Sequence, residues 1–198
     1  MKSNIYLLQQ FCTDFRKIPA EAEKVANYNN LDEKSALRLR LLAEELICML
    51  PPLLIYGEGS FWIENDDNNY ELHLYVQPKD PIDYDVGKLL SLSTTGKNAE
   101  AKGVLHRLTV SLQLMMKKRA KQAKDDPYGS FKAGVSDYDE NQIWSLVDYK
   151  NGLNSEVSEP EQKEQWDELE KSIIANLADD VTVGIIGGKI HIVVKKTF

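Results

Sequence analysis

The sequence predicts an α/β (α+β) fold, a two-layer sandwich in which helices cover one face of a mixed, mostly antiparallel sheet. Three observations support this fold class. An apolar stripe with helical spacing runs through residues 37–53, a period-two pattern follows over 60–77, and a second such pattern closes the chain over 179–196. Antiparallel hairpins with one buried face need a covering layer, and amphipathic helices can supply it.

Composition fits one globular domain over residues 1–198. The chain is 42% hydrophobic and 28% charged, which is enough for a single core. Its net charge of −7 is unfavourable for binding a phosphate backbone, so we expect no nucleic-acid partner. We also expect no membrane association and a cytoplasmic location, because the N-terminus lacks a signal-peptide pattern and no run of 18 apolar residues occurs.

The two cysteines, Cys12 and Cys48, have no C-x-x-C neighbours. This excludes a zinc or redox motif and indicates reduced packing residues. The three histidines, His73, His106 and His191, are scattered without metal-ligand spacing, so the sequence predicts no metal site.

The N-terminal region predicts two helices. Over residues 4–15, Ile5, Leu8 and Phe15 recur with helical spacing, and a short helix starts near Pro19 and stops at an Asn-rich stretch. We therefore expect residues 1–30 to form an N-terminal helical extension.

The strongest helix pattern follows at residue 31. Asp32 is the expected N-cap, with Ser35 as an alternative, and Pro51 and Pro52 end the helix. The inward stripe is Leu39, Leu42, Leu46, Met49 and Leu53, widened by Leu37 and Leu41.

A hairpin is predicted next. Phe61 and Ile63 alternate with Trp62 and Glu64, and the residues from 70 to 77 alternate in the same way on either side of turn-forming Asp67-Asn68-Asn69. This alternation places His73 on the outward face.

The sequence pattern indicates secondary structure less clearly in the middle of the chain than at its end. A helix is expected near 99–124, and 127–159 is either an irregular insertion or a lid, with strand and helix both open at 143–147. After Pro160 we expect a helix that turns Trp166, Leu169, Ile173 and Leu177 inward. Two strands around Gly187-Gly188 then form a hairpin.

Two segments, LRLLAEELICML and LEKSIIANLADDVTVGIIGGKIHIVVKK, together with the element order, resemble one family. It is the ATP-binding domain shared by histidine kinases, gyrase, Hsp90 and the anti-sigma serine kinases, the GHKL or Bergerat fold. The resemblance implies that Glu44 or Glu45 is the catalytic base and that Asp80 contacts adenine. It further implies that a glycine-containing loop holds phosphate at a helix N-terminus; its residues here are Gly96, Lys97 and Gly103.

The sequence departs from that family at its ligand positions. An Asn that holds the metal stands four residues after the family's Glu, but here Cys48 and Met49 occupy those places, and magnesium prefers oxygen. No Asp-x-Gly-x-Gly follows the second strand. We therefore expect no resident metal, and either no cofactor or weak ATP and Mg binding.

Three functions remain open at this point. The first is a regulatory protein on a degenerate ATPase-like domain that acts through a protein partner. The second is a divergent but active ATP-binding enzyme, an ATPase or anti-sigma-type kinase, and the third is an unrelated α+β protein-interaction module. A surface pair between Arg40 and Glu44, four residues apart on a helix, is the structural alternative for that acid.

Overall fold

A computed structural model of the chain describes residues 1–9, 14–48, 58–77, 144–153, 172–186 and 189–198. Within these residues the fold is α+β, with six strands and four helices, which confirms the predicted class. The strands are β1 (Tyr6–Gln9), β2 (Glu58–Asp66), β3 (Asn69–Val76), β4 (Trp144–Ser145), β5 (Asp180–Ile186) and β6 (Lys189–Thr197). The helices are α1 (Lys17–Tyr28), α2 (Glu33–Cys48), α3 (Leu146–Leu153) and α4 (Ile173–Leu177).

The sheet has the strand order β1-β2-β3-β6-β5-β4, and all five pairings are antiparallel. Both predicted hairpins are confirmed, β2 with β3 and β5 with β6. In the first hairpin, Asp67 adopts a φ of 50°, a left-handed conformation that Asp tolerates in tight turns. The central pairing joins the two hairpins, since Leu72 lies opposite Val194 and Leu74 opposite Ile192.

The core lies on one face of the sheet. Alternate strand residues such as Phe61, Leu72 and Ile192 are buried, and they form one cluster with apolar residues of α1, α2 and α4. Period-two alternation sends the residues between them to the opposite face, which we call the outer face.

Helix α2 follows its sequence pattern closely. The Asp32 carboxylate accepts hydrogen bonds from the backbone N–H of Lys34 and Ser35, at 3.0 and 3.1 Å, so Asp32 is the N-cap. Leu39, Leu42 and Leu46 are fully buried as predicted. Leu37, expected to widen the stripe, is 54% exposed, and residues 49–57, including Met49, Pro51, Pro52 and Leu53, lie outside the described residues.

The predicted helix over residues 4–15 is wrong where it is described, because Tyr6–Gln9 form strand β1 at the edge of the sheet. Leu8 is fully buried while Leu7 is 75% exposed, which is the alternation of a strand. The short second helix is confirmed as α1. Residues 1–30 therefore contribute both a strand and a helix.

Three further expectations have outcomes, and a fourth falls on a residue outside the described ranges. Cys48 is exposed rather than packed, and Cys12 lies outside the described residues. Ile173, expected inward, is 39% exposed, because Ser172 is extended and caps a new helix, so that Ile174 and Ala175 are the buried residues. The described part of the undecided segment, residues 144–147, contains both structures, the two-residue strand β4 and the start of α3.

Several expectations fall on the middle of the chain, between the described ranges. Outside the described residues lie the helix expected near 99–124, the larger part of 127–159 and the Gly187-Gly188 turn. The first part of the helix expected after Pro160, with Trp166 and Leu169, also lies outside them. In the described part of the chain, no helix is long and apolar enough to cross a membrane.

Candidate functional site

The two carboxylates of α2 have different surroundings. Glu44 accepts a hydrogen bond from Arg40 Nε at 2.8 Å. The same guanidinium donates to Glu23 of helix α1, so Arg40 bridges the two helices at the surface. The predicted pair between Arg40 and Glu44 is therefore confirmed, and Glu44 Oε1 is engaged by a cation.

Glu45 is half-buried on the next position of α2. Burial raises the pKa of its carboxyl group, and the adjacent negative charge of Glu44 raises it further. A carboxyl group with a raised pKa can hold a proton nearer to neutral pH, which is a property of general acids and bases.

The other predicted site residues lie outside the described residues. These residues are Asp80, Gly96, Lys97 and Gly103. The structure thus places Glu44 and Glu45 on α2, and the convergence of the remaining four with them stays a prediction.

The structure brings together four ring side chains that the sequence analysis left apart. We call them the outer-face cluster: Trp62 of β2, His73 and Tyr75 of β3, and His191 of β6. Trp62 lies directly opposite His73, and Tyr75 lies directly opposite His191. The Trp62 and His73 rings are stacked, with centroids 4.8 Å apart and planes inclined by 5°. His73 was expected to face outward, yet only 8% of it is exposed because these neighbouring rings cover it.

The two histidines of the cluster are hydrogen-bonded to each other. His73 Nδ1 lies 3.2 Å from His191 Nε2, so one ring donates an N–H and the other accepts it. The ring centroids are 5.4 Å apart and the planes differ by 17°. When two rings meet edge to edge, their centroids are farther apart than the facing nitrogens by about one ring diameter. The two distances here fit that arrangement, so the hydrogen bond runs between the edges of the rings.

Burial lowers the pKa of both histidines. The pKa of His73 lies below its ordinary value because of burial, although the nearby carboxylates of Glu64 and Glu71 oppose the shift. Burial and the proximity of His73 lower the pKa of His191 to about 4. Both rings are therefore neutral near pH 7, and a neutral pair can form this hydrogen bond because each ring has one donor and one acceptor nitrogen.

Charged side chains surround the cluster in pairs. Glu64 accepts from the Trp62 indole N–H at 2.7 Å and pairs with Lys2, whose ammonium lies 4.6 Å from the Trp62 ring centroid. Glu71 lies 3.6 Å from Lys195 Nζ and 3.4 Å from His73 Nε2. The four charged side chains, Lys2, Glu64, Glu71 and Lys195, also line an open cavity of about 860 Å³ at the end of the sheet where β2 turns into β3.

Within the described ranges, no three His, Cys, Asp or Glu side chains converge as ligands for a metal ion. His73 and His191 supply two nitrogens, and Glu71 approaches the opposite nitrogen of His73 instead of the space between the rings.

Comparison with known proteins found no match: no family model, no curated protein and no solved structure matches this chain.

Proposed function

We propose that this chain is a cytoplasmic regulatory protein that acts through a protein partner and is built on a degenerate GHKL-like domain. ATP and Mg bind weakly or not at all. The observation that carries the proposal is the surface bridge from Glu44 through Arg40 to Glu23. A catalytic base directs a carboxylate oxygen at its substrate, whereas Glu44 Oε1 is bonded to a guanidinium at the surface.

The metal position gives a second argument. In the family that the sequence resembles, an oxygen ligand follows the base by one helical turn. One turn after Glu44, the end of α2 carries the thiol of Cys48, which is exposed. A sulfur ligand is a poor match for magnesium. The order of α1, α2 and the first hairpin, followed by α4 and the closing hairpin, supports the kinship of the scaffold itself.

One observation favours the second function, a divergent but active ATP-binding enzyme. Glu45 is half-buried with a raised pKa, which is the environment of many carboxyl groups that transfer protons. In that case Glu45 would be the base, and Asp80, Gly96, Lys97 and Gly103 would hold the nucleotide.

Thermal unfolding with and without millimolar Mg-ATP or Mg-ADP tests these alternatives. A ligand at a hundred times its Kd adds about 2.7 kcal/mol, which raises Tm by roughly 5–10 °C for a chain of this size. The degenerate domain is expected to show a much smaller shift or none. A shift of full size that Asp80→Ala abolishes would overturn the proposal.

Hydrolysis of ATP gives a second readout with a matched pair of variants. Glu45→Gln and Glu44→Gln change neighbouring positions by the same chemistry. We expect all three proteins to lack ATPase activity. Activity in the wild type that disappears in Glu45→Gln and persists in Glu44→Gln would assign the enzyme function and its base.

A further inference from the structure

We propose that the outer-face cluster is a two-step proton switch. In the first step His73 takes a proton while its hydrogen bond to His191 stays intact. In the second step His191 takes a proton, the hydrogen bond breaks and the cluster opens. This inference rests on the geometry of the four rings and is independent of nucleotide binding.

Groups that can stabilise a protonated His73 already lie next to it. Nε2 of His73 has no hydrogen-bond partner in the described part of the chain, and the Glu71 carboxylate lies 3.4 Å away. A protonated His73 donates through both nitrogens, from Nδ1 to His191 and from Nε2 toward Glu71. The stacked face of Trp62 also favours a cationic ring. The singly protonated cluster therefore keeps its contacts.

Protonation of His191, the second step, breaks the hydrogen bond between the two histidines. Both N–H groups would then point at each other across 3.2 Å, with no acceptor between them and two positive charges in contact. The rings must separate to relieve this repulsion. Since His191 also packs against Tyr75, with centroids 4.9 Å apart, and lies 6.1 Å from the Trp62 ring, their separation disturbs both aromatic rings.

Other charges act on the cluster from every neighbouring element. Glu64 of β2 and Glu71 of β3 favour the charged histidines. Lys2 and Lys195 of β6 oppose the charge on His73. Lys189 of β6 is a further cation near the cluster, with its ammonium 5.9 Å from the Tyr75 ring centroid. Burial adds to the opposition and places both histidine pKa values below the ordinary 6.5. As the two sites are coupled, the pKa of each step is a property of the pair, while each proton resides mainly on one ring.

The direction of the stability change follows from these shifts. A histidine whose pKa is lower in the folded chain binds its proton first in the unfolded chain. The stabilisation by the neutral pair is complete above pH 6.5 and is lost as the pH falls from 6.5 toward about 4.

A titration of the full chain by nitrogen-15 NMR, which follows the histidine ring nitrogens from pH 8 to 3.5, tests the proposal. We expect two separate steps, the first on His73 and the second on His191, with the indole resonance of Trp62 changing in the second. His73→Gln is expected to raise the pKa of His191 by about one pH unit or more, because it removes the coupled charge. Glu71→Gln is expected to lower the pH of the first step. His106→Gln removes the third histidine and so identifies its signal.

Three results would overturn the switch. One is a single joint transition of His73 and His191 at ordinary histidine values. Another is a His191 pKa that stays unchanged in a folded His73→Gln protein, checked by near-ultraviolet circular dichroism. The third is a Trp62 indole resonance in the wild type that does not change during the second step, which would contradict the opening of the cluster. This result can be obtained even if His73→Gln does not fold.

Discussion

Glu21 is a buried carboxylate of helix α1 that ties the N-terminal strand to the core. Only 3% of the residue is exposed. Its oxygens accept from the Tyr6 hydroxyl at 2.7 Å and from the Asn4 side-chain amide at 3.1 Å, and Lys24 lies 3.5 Å away. Burial alone would raise the pKa of Glu21, but the Tyr6 hydroxyl, the Asn4 backbone N–H at 3.3 Å and Lys24 outweigh it, and the pKa lies below the ordinary 4.5. Burial, together with the hydrogen bond to Glu21, raises the pKa of Tyr6 to about 12.

Replacing Glu21 by Ala is expected to destabilise the fold by roughly 2 kcal/mol, because it leaves the donors of Tyr6 and Asn4 unsatisfied. Urea unfolding measures this as a lower midpoint with an unchanged slope. Glu23→Ala, on the exposed side of the same helix, is the control and is expected to change stability by less than about 1 kcal/mol. Equal decreases in the free energy of unfolding of the two variants would show that the buried contacts of Glu21 stabilise the fold no more than a surface ion pair does.

Acidification gives the same residue a signature. Since the pKa of Glu21 is lower in the folded chain, its stabilisation is present above pH 4.5 and is lost as the pH falls below that value. This window lies below most of the histidine window, so Glu21→Gln is expected to flatten only the acidic end of a plot of Tm against pH. Flattening above pH 5 would contradict the assignment.

At the scale of elements, those with local sequence signals could be predicted, whereas a strand formed by pairing at the sheet edge could not. Helix α2 carries its own N-cap and its own apolar stripe, so its start could be predicted from adjacent residues. Strand β1 exists because the edge of β2 is available to pair with it, and nothing in the first nine residues reveals that edge. Ile5 and Leu8 fit helical spacing equally well, which explains the wrong prediction.

Two alanine variants separate a strand from a helix at this position. A helix would turn Ile5 and Leu8 to the same face, whereas in the structure Ile5 is 56% exposed and Leu8 is fully buried. Leu8→Ala is therefore expected to cost about 2–5 kcal/mol and Ile5→Ala less than about 1 kcal/mol, measured by urea unfolding. Comparable losses would favour the helix.

At the scale of the whole molecule, the sequence revealed the two hairpins but not their union. Each hairpin is local and shows its alternation, while the pairing of β3 with β6 joins segments with no shared motif. His73 and His191 meet only through that pairing, so the outer-face cluster could not be predicted. The ion pair of Glu44 was predictable because it lies within one helical turn, and the wider nucleotide site stays a prediction.

Hydrogen exchange is expected to follow the strand order. Strands β3 and β6 are paired on both sides, whereas β1 and β4 lie at the edges of the sheet and have four and two residues. Amides of Leu72–Val76 and Ile190–Val194 should exchange slowest by mass spectrometry, and those of Tyr6–Gln9 much faster. Protection of β1 equal to that of β3 would contradict this order of stability.

The pairing of β3 with β6 also bears on how quickly the chain can fold. Val76 lies opposite Ile190, more than a hundred positions later in the sequence, so forming this pair closes a very long loop. Hairpins form in microseconds, whereas folds dominated by such distant contacts take milliseconds to seconds. Two early hairpins that wait for a slow, entropically costly encounter would leave the inner edges of β3 and β6 open in the meantime. Newly made chains are then most prone to mispairing at the strands that are most protected once folding is complete.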